Sequence, residues 1–143
     1  MAAGLRNAAR DERGFTIVEL LVVTVIIGLL AAIAIPSFLA QREKARDADA
    51  KSAARAAALA IESYGTERDG DYGGATPALL QALEPALTGA PLAVVLASGQ
   101  TYELTVTSPS GNVFGIERRP DGNWRLECSN AGSAGCPATG RWD

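Results

Sequence analysis

The stretch Arg13–Phe38, RGFTIVELLVVTVIIGLLAAIAIPSF, decides how the rest of the chain is read. Phe15 to Ile35 is a run of 21 residues, and from Leu20 to Ala40 no residue is charged. Coiled as a helix, the run is roughly 30 Å long, about the thickness of a bilayer's hydrocarbon core. Arg6, Arg10 and Arg13 precede it, and basic residues on that side favour a cytoplasmic N-terminus. One letter does not fit: Glu19, a carboxylate near the start of the run. A charge costs roughly 2.5–3.5 kcal/mol at a bilayer centre and less near an edge. A carboxylate reaching to the interface is therefore the plain reading of Glu19, and a functional carboxylate is the alternative.

Beyond Pro36 the helical pattern continues. Ser37–Tyr64 contains no glycine or proline and is rich in Ala, Lys, Arg and Glu, all good helix formers. Ala50, Ala53, Ala54, Ala57, Ile61 and Tyr64 recur at helical spacing and predict a stripe facing a packed domain. Arg42, Glu43, Arg46 and Lys51 are expected in water, with Asp47–Lys51 as an i, i+4 ion pair and Gly65 as the helix stop. Gly65–Thr76 reads as a loop. Thr76-Pro77 then reads as a cap and first-turn proline opening a short helix through Leu83.

From there the period changes to two. Tyr102, Leu104 and Val106 alternate with polar residues, as do Trp124, Leu126 and Cys128; Phe114 and Ile116 lie between Val113, Gly115 and Glu117, and Leu92–Ala97 is a further apolar run. Ser98-Gly99, Pro109–Asn112 and Pro120–Asn123 separate the runs and imply antiparallel hairpins. The expected fold class is α+β, a long N-terminal helix, half of it transmembrane, packed on a four-stranded antiparallel sheet. Trp124 and Trp142 are expected to pack in core and tail.

Composition narrows the function. The net charge is −3, which advertises no nucleic-acid contact. There is no histidine, which removes the commonest general base and metal ligand. No nucleophile elbow or phosphate loop occurs, so no enzyme and no cofactor are expected. Cys128 and Cys136 behind an export-type segment read as a disulfide, with free thiols as the alternative; two cysteines alone make a poor zinc site. Asp69-Gly70-Asp71 is the one calcium-like fragment, but the following Tyr-Gly-Gly supplies no further acid. A solvated turn is the expected reading, with no metal.

The stretch Arg13–Pro36 resembles the N-terminal signature of type IV pilins and pseudopilins, through a short basic leader ending in Gly14, then Phe15, Glu19 and Pro36. The match is dense over this stretch and continues more loosely to Tyr64; the C-terminal part matches in architecture, the pilin fold. The resemblance implies four regions: a leader at 1–14, an assembly half-helix at 15–36, an amphipathic half-helix at 37–64, and a globular region at 65–143. It implies cleavage between Gly14 and Phe15 by a prepilin peptidase and methylation of the Phe15 amine. It implies that Glu19 pairs with the N-terminal amine of a neighbouring subunit, since either charge left alone in a low-dielectric core is costly. Gly28 and Pro36 would let the helix loosen in a filament, or Pro36 would merely kink it. The cysteines resemble the disulfide loop of the family, here a short one. The partners implied are the membrane, the prepilin peptidase, other copies in a homopolymer and a pilus assembly platform. The location implied is the cytoplasmic membrane for a single-pass precursor, then an extracellular filament.

Three functions are consistent with these residues. The first is a type IV pilus subunit, with a secretion or DNA-uptake pseudopilin as its near variant. The second is a secreted binding domain released by signal peptidase after Ala32-Ile33-Ala34. The third is an uncleaved membrane-anchored binding domain.

Overall fold

The computed structural model describes Gly14–Trp142; the leader expected at 1–14 lies outside these residues except for Gly14. The chain divides into two compact units, one up to Ser37 and one from Phe38 onward. In the first, the described residues form the opening of helix α1, Ile17–Thr66, whose helical assignment passes through Pro36. Its large apolar side chains are all exposed, Ile17 by 85% and Ile33 by 77%. None of the 18-residue window apolar enough to cross a membrane is buried. Nothing among the described residues covers them, and so large an apolar surface calls for lipid or another protein.

In the second unit the remainder of α1 packs on a four-stranded antiparallel meander in the order β1-β2-β3-β4. The strands are β1, Leu92–Ser98; β2, Thr101–Thr107; β3, Val113–Arg118; and β4, Trp124–Cys128. The register pairs Leu104 with Ile116 and Val106 with Phe114, and Ile116 with Leu126. One face of each pair therefore points the same way, and Tyr102, Leu104, Val106, Phe114 and Ile116 are buried beneath α1. The helix meets them with Ala50, Ala54, Ala57, Ala58 and Ile61. Alanines let the helix axis approach the sheet closely, and the larger strand side chains fill the gap.

Between α1 and β1, Thr76 caps α2 (Pro77–Leu83), its hydroxyl accepting a hydrogen bond from Leu79 N. A single 3₁₀ turn, Pro85–Leu87, follows. Leu80 and Leu87 enter the core. The outer edge of β4 is partly covered by the chain's own tail, through a bridge between Glu127 and Arg141.

Four local expectations fail, each for a tertiary reason. Gly65 does not stop α1; it lies buried in the last turn, and a Cβ there would overlap the Tyr72 ring. The left-handed residues come later, at Asp69 and Gly70. Trp124 is 40% exposed at the start of an edge strand, whereas Trp142 is only 2% exposed and stacks edge-on against Phe114. Asp47 and Lys51 form no ion pair among the described residues, because Asp47 is wholly buried. Lys51 is half-buried, donating instead to the Gly135 carbonyl at 2.7 Å.

Candidate assembly site

The residues singled out in the N-terminal segment fall into two groups. Gly14 and Phe15 precede α1, and Phe15 is exposed. Thr16 caps the helix: its carbonyl accepts from Leu20 N at 3.2 Å and its hydroxyl from Glu19 N at 3.2 Å. The same hydroxyl reaches Glu19 Oε2 at 3.4 Å. Thr16-x-x-Glu19 thus resembles a capping box, and a carboxylate in a first helical turn also suits the helix dipole. The sequence reading missed that local role; T-x-x-E before an apolar run is the signal that points to it once the helix start is placed. It satisfies Glu19 only in part, since the carboxylate is exposed and its one hydrogen bond among the described residues is the long one from Thr16.

Gly28 and Pro36 lie further along the helix. An added Cβ at Gly28 would meet nothing within 4 Å, so no close approach inside this chain requires glycine there. Pro36 lacks the N–H that would bond back to Ala32.

Two polar clusters hold the second unit. In the first, the Asp47 carboxylate accepts from the Ser110 hydroxyl, from Asn112 Nδ2 at 2.7 Å and from Gly135 N at 2.8 Å. Asn112 also donates to the Ser133 carbonyl, and its own oxygen accepts from Asn130. Burial pushes the Asp47 carboxyl up, but the hydroxyls of Ser108 and Ser110 and the amides of Gly135 and Asn112 together hold it below the usual value. One turn on, Lys51 grips the same loop and lies 5.4 Å from the centre of the Phe114 ring. A Cβ at Gly135 would come 2.6 Å from that of Asp47, so glycine is required there.

The second cluster ties α1 to the strands through Glu62. Its carboxylate accepts from Tyr72 Oη at 2.7 Å, Tyr102 Oη at 3.0 Å and Arg118 at 2.7 Å. Burial, and then the Glu62 hydrogen bond and charge, push the Tyr72 phenol up to about 12; burial and Glu62 push Tyr102 up further. Neither Asp47 nor Glu62 stands out in the sequence as a hub, because all their partners but Tyr72, 10 residues from Glu62, lie 40 to 88 residues away.

Cys128 and Cys136 are joined by a disulfide with a Cα–Cα distance of 5.8 Å. It closes the loop whose Ser133 and Gly135 hold the Asp47 cluster. Asp71 accepts from Gly73 N at 2.8 Å, an ordinary turn contact. Among the described residues no group of three His, Cys, Asp or Glu is placed to hold a metal ion.

An uncovered apolar helix leading into a helix-on-sheet unit closed by a disulfide defines a pilin-like subunit. Residues 9–35 match the prokaryotic N-terminal methylation motif. The chain is 44% identical over 58 residues to the type IV major pilin protein PilA of Myxococcus xanthus, covering 41% of this chain and 26% of that one. It is 38% identical over 55 residues to the type II secretion system core protein G of Pseudomonas aeruginosa, 38% of this chain and 39% of that one. It is 29% identical over 105 residues to the type IV wide pilus major component PilA4 of Thermus thermophilus, 73% of this chain and 80% of that one. The first two matches thus span well under half of those relatives. Motif, relatives and architecture together make the chain similar to the type IV pilins and pseudopilins, most densely in its N-terminal segment.

Proposed function

We propose that the chain is the structural subunit of a type IV pilus filament, polymerised through α1 after cleavage between Gly14 and Phe15 and methylation of the Phe15 amine. The observation that carries the reading is the uncovered apolar surface of α1 from Ile17 to Leu39. It can sit in lipid before assembly and among other copies afterwards. Glu19, exposed and weakly bonded within its own chain, is the partner for the amine of the next subunit. Gly28 and Pro36 are the points where the helix loosens on packing. The partners on this reading are the cytoplasmic membrane, a prepilin peptidase, other copies and an assembly platform. The precursor sits in the membrane and the product lies outside the cell. The role is structural, with no catalytic step.

A pseudopilin is the second reading, favoured by the similarity to the secretion core protein. Both share the N-terminal processing. Intact mass and terminal sequencing of protein from envelope membranes test it: a chain starting at Phe15 with one added methyl group is expected. A start at Ile35, or an uncut Met1, overturns the filament reading in favour of a secreted or anchored binding domain. Finding the processed chain in long sheared surface filaments, rather than confined to the envelope, separates pilus from pseudopilus.

A further inference from the structure

The first turns of α1 in the second unit carry Arg42, Lys44 and Arg46. Arg42 and Lys44 are exposed and Arg46 half-exposed. The ion pairs among the described residues lie elsewhere: Arg118 with Glu62, Arg119 with Glu117, and Arg125 with Glu127. Arg42 and Arg46 share one helix face at i, i+4, where like charges repel, and Lys44, two residues from each, projects from the opposite side. Glu43 and Asp49 lie nearby but pair with none of the three. In the orientation proposed above, this cluster emerges on the translocated side of the span, where Lys and Arg are normally depleted. No ion pair among the described residues accounts for it.

At the other end of the same helix, Glu67, Asp69 and Asp71 are exposed within five residues, and none is in an ion pair among the described residues. Arg68, between them, turns over the Tyr64 ring at 5.0 Å. The loop that presents them is held in place. Tyr64 Oη donates to the Gly73 carbonyl at 2.9 Å, Tyr72 N to the Gly99 carbonyl at 2.8 Å, and Tyr72 Oη to Glu62. From Lys44 to Glu67 is about 35 Å of helix, several screening lengths at physiological salt. The two clusters cannot neutralise each other in one chain.

We propose that this basic turn, with Arg42 and Arg46 on one side of the helix and Lys44 on the other, docks between the Glu67–Asp71 loops of neighbouring copies of this chain. The inference rests on the filament reading and names a contact within it. Joining two different patches of the same molecule makes a head-to-tail contact that repeats without closing, as a filament requires. Both patches are rigid before contact, one on a helix and one on a braced loop, so little ordering is lost on docking. Exposed ion pairs contribute little affinity singly; their role is to set axial register and reject misaligned neighbours, while the apolar helices supply the adhesion.

Zero-length carbodiimide cross-linking of sheared wild-type filaments, followed by peptide mapping, tests the contact. Lys44 and Lys51 are the only lysines, so the products are few. The expected product joins Lys44 to Glu67, Asp69 or Asp71, and the intrachain separation means that such a bond links two copies. Charge exchange is the second arm. Arg42→Glu with Lys44→Glu, and separately Glu67→Lys with Asp69→Lys, should each lower filament yield by about tenfold, and all four together should restore it. Each variant is checked for its disulfide and wild-type unfolding temperature in detergent. Filaments with no Lys44 link to this loop, or reversals that leave yield unchanged or are not restored in combination, overturn the contact. Loss from the basic reversal alone, with the acidic reversal silent, also overturns it and assigns the basic turn to anionic lipid. A wild-type chain that forms no filament refutes the filament reading itself, and this contact with it.

Discussion

Replacing Asp47 with alanine tests whether the buried carboxylate organises the globular unit. Three donors converge on it: the Ser110 hydroxyl, Asn112 Nδ2 and Gly135 N. Hydrogen bonds to a charged group contribute about 1.5 kcal/mol or more each. After truncation, Asn112 keeps the Ser133 carbonyl at 3.0 Å and Ser110 keeps Ser108 at 3.1 Å. The Gly135 N–H is left with no acceptor. The net loss is therefore about 3 kcal/mol rather than the full sum. For a unit of this size that lowers Tm by about 12 °C or more. Asp47→Asn keeps the shape but loses the charge and turns a donor toward another donor, so about half the loss is expected. Circular dichroism melts of the full chain in detergent at pH 7 measure both. An Asp47→Ala melt within about 2 °C of wild type sinks the reasoning. The effect is also pH-dependent. Because the folded carboxyl titrates below its unfolded value, the stabilisation is complete above about pH 4 and lost as pH falls through the lower folded value. Wild type and Asp47→Ala should therefore converge in acid.

Other expectations follow from the same structure. Glu19→Ala should leave membrane insertion intact and abolish filaments, and electron microscopy finding normal filaments from that variant would remove Glu19 as the assembly carboxylate. Gly65→Ala should destabilise by about 1–3 kcal/mol through overpacking on Tyr72, although alanine is the better helix former; a higher melting temperature would mean that Tyr72 moves aside freely. Reducing Cys128–Cys136, a closure spanning 8 residues, should cost about 2.5 kcal/mol and expose the loop to protease; an unchanged melt under reductant would contradict this. In alkali, the neutral Tyr72 and Tyr102 phenols stabilise the fold fully below about pH 10, the unfolded value. That stabilisation declines as pH rises through the folded value of about 12 for Tyr72. Phenolate absorbance rising with ordinary midpoints for both tyrosines would disprove the Glu62 cluster.

Much of the fold was legible because its signals are periodic. The alternation of Tyr102, Leu104 and Val106, and the alanine stripe from Ala50 to Ile61, each follow from one element facing one core. The capped helix at Thr76-Pro77 was legible because its cap is local. What failed depended on distant neighbours. Gly65 reads as a stop signal until Tyr72 is seen against it. Asp47 and Lys51 read as a surface pair until the loop bearing Gly135 settles over both. Trp124 alternates correctly with its strand, but at its start on a sheet edge it is left 40% exposed. At the assembly site, Glu19 was conspicuous by charge, whereas its bond to Thr16 needed the helix start to be placed.

The Asp47 cluster also imposes an order in time. Its carboxylate is made in the first third of the chain, and its amide partner Gly135 only near position 135. A chain emerging N-terminus first carries the helix past the ribosome, and on the proposed route past the membrane, long before the groups that bury Asp47 exist. Until the disulfide loop arrives, that stretch of helix presents an unburied carboxylate and bare alanines. Completion of the globular unit is thus reported by its last segment, and a chain arrested or clipped before Gly135 cannot pass as a finished subunit.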